Sequence, residues 1–367
     1  MAGVTLRREW KIPVAAPHPA LHCLQKPPTR SGTGQSSPAD ATDGVPFLAT
    51  AAHLTQMQPD ESPERGEIIA GLTAKAASVS PKYFYDPLGS HLFEAITALP
   101  EYYPTRTERV IFSSHAAAIA AAAGTGRTLI DLGAGNCEKA AGLFATLRPT
   151  RYVAIDISAA FLEEALRDLR RLHPDMAMQS LALDFSARLE LPATVSAERR
   201  LFFYPGSSLG NFAPPDALRL LRDIRAQCGG DGALLIGIDL VKDEAVLQAA
   251  YDDELGVTAA FNLNLLKHLN RILGSDFRPR DWRHVALYNA ADSRIEMHLE
   301  ARRALAVSWP GGGRRFTQGE RIHTENSYKY RLDGFEQVLA QAGFGEISSW
   351  TDEQGWFAVC LAGVKAA

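Results

Sequence analysis

Cysteine is scarce in this chain: four in 367 residues, Cys23, Cys137, Cys228 and Cys360, so far apart that no CxxC pair exists. That spacing points to neither a disulfide framework nor a zinc site, and it suits a reducing compartment. No apolar run approaches the roughly 20 residues needed to span a bilayer. The opening stretch MAGVTLRREWKIPVAAPHPALHC lacks the compact apolar core of a signal peptide. Basic residues are not in excess either: 38 Lys and Arg stand against 42 Asp and Glu, a net charge of -4, with no basic block. Such a chain has no broad attraction for phosphate backbones or anionic lipid. The expectation is a cytoplasmic protein that holds no metal and binds neither nucleic acid nor membrane.

What the chain does contain is organised unevenly. Residues 1–45 are rich in Pro, Ser, Gly and Thr (KPPTRSGTGQSSPADATDG) and carry no apolar periodicity, so they read as a disordered tail. From TLIDLGAGN onward, short apolar runs alternate with amphipathic helical stretches. LIDLG (129–133), YVAIDIS (152–158), SLALDF (180–185), RLFFYPGSSLGN (200–211) and ALLIGIDL (233–240) read as five buried strands. Between them CEKAAGLFATL, AFLEEALRDLRRL and PDALRLLRDIRAQ repeat apolar residues at helical spacing. This alternation specifies an α/β fold, a Rossmann-like doubly wound parallel sheet.

The alternation stops at Leu240. A long helical stretch follows, then two β-like runs around HVALYNAADSRIEMHLEARRALAVSW, an extended ERIHTENSYKY, a helix LDGFEQVLAQAG and a hairpin-like pair, EISSWTDEQGWFAVCLAG. Residues 46–105 and 241–330 are therefore expected to form a substrate-binding domain, and residues 106–240 and 331–367 the α/β domain.

The turn DLGAGN sits where the first strand meets the first helix, a place where backbone can approach a ligand closely. Gly133 and Gly135 are present, but Glu138 stands at the third glycine position of a dinucleotide fingerprint and would repel a pyrophosphate. Asp131 before the turn suits a ligand with a cationic end. Asp156, 21 residues after Gly135, closes the second strand, where a carboxylate can accept ribose hydroxyls. Asp184 and Phe185 close the third, placed to meet an adenine. Ribose, adenine and a cation without pyrophosphate describe S-adenosyl-L-methionine. In ERIHTENSYKY, Glu325 and Ser327 would share one face of a strand. Taken alone, that segment reads more readily as a solvated edge strand before a helix.

Six segments together resemble the L-histidine Nα-methyltransferases that make hercynine for ergothioneine biosynthesis. They are PKYFYDPLGSHLFEAITALPEYYPTRTE (81–108), DLGAGNCEK (131–139), FYPGSSLGNF (203–212), DLVKDEAVLQAAYDDELGVTAAFNLNLL (239–266), RIEMHLEA (294–301) and TENSYKY (324–330). The likeness spans residues 50–367 and implies a class I methyltransferase domain with a second, substrate-binding domain. It also implies a substrate pocket lined by Tyr85, Tyr102, Asn211, Tyr251, Met297, Glu325 and Ser327. Tyr102, Glu325 and Ser327 would hold the imidazole, and Asn211 and Tyr251 the amine and carboxylate. Tyr85 would stand near the amine and share the catalytic role with Asn211. The cofactor would meet Asp131, Gly133, Gly135, Lys139, Asp156, Asp184 and Phe185.

The chemistry agrees with this set. Methyl transfer from sulfonium to nitrogen needs a neutral amine, positioning and exclusion of water more than a strong acid or base. Asn211 reads equally as a helix cap before PPDAL, and each tyrosine equally as core. A same-family enzyme acting on another aromatic amino acid, such as tryptophan, and a non-catalytic S-adenosylmethionine-binding regulator both stay open. A monomer is expected.

Overall fold

The computed structural model describes residues 62–364. The segment 1–45, expected to be a disordered tail, lies outside the described residues. The described chain opens with α1 (Pro63–Thr73), whose N-cap Ser62 accepts the Arg65 backbone N–H and whose first position is proline. Next come β1 (Ala77–Ser78), a 3-10 turn (Pro81–Phe84) and α2 (Pro87–Thr97). Asp86 caps α2 by accepting the Gly89 N–H at 2.8 Å and also accepts from Asn264 at 2.7 Å, tying this segment to a helix far along the chain. The long α3 (Tyr103–Ala123) leads into the sheet.

Five parallel strands follow: β2 (Thr128–Leu132), β3 (Arg151–Asp156), β4 (Ala177–Ala182), β5 (Arg200–Tyr204) and β6 (Ala233–Asp239). The expected helix CEKAAGLFATL is two short turns instead, α4 (Glu138–Ala141) and α5 (Phe144–Leu147), divided at Gly142 and Leu143. Glycine there costs about 1 kcal/mol of helix propensity, and four-residue turns gain little back. The other crossovers form as expected, α6 (Ala159–Leu172) and α7 (Pro214–Gln227). The third strand begins at Ala177 rather than Ser180 and lies at the sheet edge, only partly buried, because it has a neighbour on one side alone.

After β6 the expected long helix is likewise two, α8 (Glu244–Ala249) and α9 (Val257–Leu273). They break at Gly256 (φ 74°), and Asp253 caps the second by accepting the Val257 and Thr258 N–H groups at 2.9 and 2.7 Å. Where two β-like runs were expected there are three strands, β7 (Trp282–Asn289), β8 (Arg294–Ala301) and β9 (Leu305–Trp309). β9 turns through Pro310 and Gly311 into a hairpin with β10 (Gly312–Phe316). β11 (Arg321–Tyr328) then completes a four-stranded sheet of order β1-β11-β8-β7, so TENSYKY enters an interior strand and not a solvated edge.

α10 (Leu332–Gln341) leads back to the hairpin β12 (Phe344–Thr351) and β13 (Phe357–Val364), the latter antiparallel to β6. The large sheet has order β12-β13-β6-β5-β2-β3-β4. Two hydrophobic clusters flank it, and a third gathers Ile68, Phe84, Tyr102, Tyr251, Leu265, Met297 and Ile322 around the smaller sheet. The two sheets are joined where β11 ends: the Tyr330 N–H donates to the Asp239 carbonyl at 2.9 Å, at the carboxyl end of β6. Among the described residues no helix is long and apolar enough to cross a membrane, and no group of three His, Cys, Asp or Glu could hold a metal ion.

Candidate active site

The carboxyl ends of β2 and β3 build the first half of the site. Gly133 and Gly135 turn the chain with φ of 71° and 52°, and a Cβ at either would meet open space, so conformation and not crowding calls for glycine. The Gly133 and Ala134 N–H groups donate to the Ile155 carbonyl at 2.8 and 3.0 Å, fastening the turn to β3. Asp156 then accepts the Gly135 N–H and the Ser158 N–H, each at 3.0 Å. Two of its roughly four acceptor positions are used by backbone and two remain.

Asp131 is buried; one carboxyl oxygen accepts the Tyr152 hydroxyl at 2.7 Å, and the other has no partner among the described residues. Burial pushes its pKa up to about 7, against the Tyr152 hydrogen bond and the nearby Lys139. An orphaned carboxylate oxygen behind a glycine turn suits a ligand that brings a cation, as S-adenosylmethionine does.

The other expected cofactor residues are already engaged. Asp184 pairs with Lys82 at 3.0 Å and accepts the Ser186 N–H at 2.9 Å, and Phe185 meets the Tyr204 ring edge-on at 5.9 Å. Lys139 pairs at 2.7 Å with Glu108, a carboxylate only 1% exposed that also accepts the Gly206 N–H at 2.7 Å. Gly237 makes room for that carboxylate, since a Cβ there would lie 2.2 Å from it. Lys139 thus braces the loop after β5, while its charge still acts on Asp131.

The second half of the site is aromatic and polar. Tyr102 and Tyr251 meet edge-on with centroids 6.3 Å apart, Phe93 joins Tyr102 to Tyr85, and Phe261 backs Tyr85. The Tyr251 hydroxyl lies 2.7 Å from the Ser327 hydroxyl. Glu325 sits opposite Met297 across β11 and β8, next to a β-bulge between His323 and Glu325. The extra residue, Thr324, lies with its hydroxyl 3.0 Å from both the Met297 carbonyl and the Asn262 side-chain oxygen, two acceptors that share its one proton.

Burial pushes the Glu325 pKa up to about 8, with Lys329 countering only in part, and no side chain among the described residues hydrogen-bonds its carboxyl group. Tyr85, Tyr102 and Tyr251 are all held well above the usual phenol range, by burial first and by neighbours including Glu325. These phenols stay protonated and serve as donors, not bases.

Asn211 is placed differently. It ends a 3-10 turn (Ser208–Asn211) packed beside β11 and lines a cleft of about 290 Å³ with Ser80, Tyr83, His323 and Asn326. The N-cap of α7 is Ala213, without a side-chain bond, so the helix-cap reading of Asn211 falls. No hydrogen bond joins Asn211 to Tyr251 or Ser327.

Sequence reasoning overlooked the charged cluster beneath this pocket. Lys329, fully buried, donates to Asp239 at 2.8 Å, Ser327 at 2.8 Å and Tyr251 at 3.2 Å. Asp239 also receives Lys242 at 2.5 Å and the Tyr103 hydroxyl at 2.6 Å. Burial opposes ionisation of Asp239, yet the two lysines outweigh it and hold its pKa below the usual range. The signal was available: Lys329 continues the alternation of Glu325 and Ser327 along one face.

A model of histidine-specific, S-adenosylmethionine-dependent methyltransferases matches residues 64–364. A histidine N-alpha-methyltransferase of Mycolicibacterium smegmatis is 40% identical over 304 residues, covering 81% of this chain and 94% of that protein. Its counterpart in Mycobacterium tuberculosis is 39% identical over 305 residues, with the same coverage. The ergothioneine biosynthesis protein 1 of Neurospora crassa is 31% identical over 279 residues, which is 73% of this chain and 31% of that protein. On this match and these identities, with the turn and pocket described above, the chain belongs to the histidine-specific, S-adenosylmethionine-dependent methyltransferase family.

Proposed function

We propose that this chain transfers methyl groups from S-adenosylmethionine to the α-amino nitrogen of L-histidine, three times, giving hercynine for ergothioneine biosynthesis. The observation that carries the reading is the buried row of Glu325, the Ser327–Tyr251 hydroxyl pair and Lys329, walled by Tyr85 and Tyr102. A lone buried carboxyl group beside a hydroxyl suits a ring with two polar nitrogens, and it disfavours an indole, whose one N–H leaves one of these groups unpaired.

S-adenosylmethionine supplies the methyl group as a sulfonium, and Asp131, Gly133, Gly135 and Asp156 would hold it, with Asp184 and Phe185 toward its adenine. The residues of 62–105 and 241–330 act as the substrate-binding part, and those of 106–240 and 331–364 as the cofactor-binding part. The neutral amine attacks the methyl carbon as the carbon–sulfur bond breaks. A proton leaves the nitrogen before each transfer, and the third leaves a quaternary ammonium without N–H. Because the three tyrosines stay protonated, they hold the substrate in place and do not take the proton of its amine. Their faces stabilise the growing cation by about 0.5–2 kcal/mol each.

The test is incubation with S-adenosylmethionine and each common amino acid separately, with mass detection of methylated products. Histidine should be consumed at least about a hundredfold more efficiently than any other, as expected where a buried polar group reads the substrate. Equal turnover of tryptophan or phenylalanine, or no turnover of any, would overturn the reading.

A further inference from the structure

The hydroxyl pair of Tyr251 and Ser327 has a proton count that fixes what it can offer. Lys329 has three N–H donors and no acceptor, and all three are spent, on Asp239, Ser327 and Tyr251. Each hydroxyl oxygen therefore gives one lone pair to the lysine. The 2.7 Å contact between the two oxygens takes one hydroxyl proton and one further lone pair. One proton and one lone pair remain, necessarily on different oxygens, and neither has another partner among the described residues. The pair is thus a donor and an acceptor side by side.

Which oxygen plays which part follows from acidity and from the field of the lysine. A phenol is a stronger donor to an anion than an aliphatic alcohol, and the Lys329 ammonium, 4.8 Å from the Tyr251 ring centre, strengthens it further. Asp239, whose charge is shared with Lys242 and Tyr103 on the far side, and Glu325 both act against this field at Tyr251, so the greater acidity of the phenol decides the direction. Asp352 also lies on the Lys242 side, and Glu325 is the titratable group on the near side. The favoured arrangement has Ser327 donating to Tyr251, Tyr251 directing its own O–H into the pocket, and Ser327 keeping a lone pair toward Glu325.

We propose that Lys329 is a positioning residue that sets the direction of the Ser327–Tyr251 hydrogen bond, so that Tyr251 donates to the substrate carboxylate and Ser327 accepts from the ring. This rests on the function proposed above. It turns an apparently structural ion pair into the device that orients an α-amino acid in the site. Across the pocket the order becomes the Glu325 carboxyl group, the Ser327 acceptor, the Tyr251 donor and the Lys329 cation, which matches a molecule with an N–H ring at one end and a carboxylate at the other.

The test compares L-histidine with histamine, which lacks the carboxylate, in Lys329→Met, Tyr251→Phe and the double variant. Lys329→Met should raise KM for histidine about 30-fold, with kcat within about threefold, while the inhibition constant of histamine, which feels only the Ser327 half of the pair, rises by less than about fivefold. In the Tyr251→Phe background the lysine change should add less than about threefold, since its effect passes through that hydroxyl. If Lys329→Met fails to fold, Lys329→Gln takes its place, a neutral polar side chain that leaves Asp239 paired with Lys242. Equal losses for histidine and histamine, or multiplicative effects of the two changes, would overturn the proposal. A wild-type protein that does not methylate histidine would instead sink the functional reading, a separate outcome visible before any variant is made.

Discussion

Ile322 and Glu325 both turn inward from β11 although they are three positions apart, because Thr324 is a bulge in the ladder with β8. In a regular strand residues three apart face opposite sides. The bulge lets one strand pack a core isoleucine and then present Glu325 and Ser327 to the pocket.

Thr324→Val keeps the shape of the bulge but removes its bonds to Asn262 and the Met297 carbonyl. It should cost about 1–3 kcal/mol in denaturant unfolding, the penalty for leaving buried groups unpaired. Deleting Thr324 should restore a regular register, turn Glu325 and Ser327 away from the pocket or expel Ile322, and abolish histidine turnover in whatever protein folds. Full activity in the deletion variant would contradict the role given to the bulge.

Glu325 should make stability pH-dependent in an unusual direction. Its folded pKa, about 8, stands above its ordinary value of 4.5, so the neutral form is favoured by folding. The stabilisation is complete below about pH 4.5 and is lost as pH rises through about 8. Glu325→Gln mimics the neutral form at every pH. Relative to it, the unliganded wild type should lose stability on the order of a few kcal/mol between pH 4.5 and 8.5, read by thermal unfolding at several pH values. A constant difference between the two proteins across that range would contradict the burial argument.

Asp131 predicts a pH dependence of cofactor binding. With its pKa raised to about 7 in the empty site, it is largely protonated below that pH and offers a cationic ligand less attraction. Calorimetry should show the affinity for S-adenosylmethionine falling by up to about tenfold for each pH unit below 7, with Asp131→Asn weaker throughout and nearly flat. A flat wild-type profile would show that the carboxylate does not face the cation.

Lys139 separates a brace from a ligand. Lys139→Met leaves the buried Glu108 carboxylate without its cation and should cost about 3 kcal/mol of stability. Lys139→Met/Glu108→Gln should recover much of that loss. If the single variant instead weakens S-adenosylmethionine binding with stability intact, the lysine contacts the cofactor directly.

The strand and helix alternation through residues 128–240 was legible because buried parallel strands read as continuous apolar runs. The turn around Gly133 and the acids at successive strand ends were legible for the same reason: they follow from where strands stop. The two helices expected as one near Gly256 were not separated, since the apolar period runs across the break and only the cap by Asp253 marks it. β10 was overlooked because glycines and arginines dominate it, with Phe316 the one buried residue. Alternation put Glu325 and Ser327 on one face, but their place in a pocket was implied only by the family resemblance, and the bulge beside them leaves no trace in residue types. Two partners of Lys329 come from the end of β6 and the turn after α8, 90 and 78 residues away, and pairings over such separations cannot be read from local pattern.

The identity of the methylated atom decides most directly between the proposed reaction and its alternatives. Histidine labelled with nitrogen-15 at the α-amine and S-adenosylmethionine labelled with carbon-13 in the methyl group allow one experiment to locate every transferred carbon. The expected product has three methyl carbons that all couple to the α-nitrogen, with unmodified ring nitrogens. Methyl groups on the imidazole, or a product that stops at fewer than three under excess donor, would contradict it.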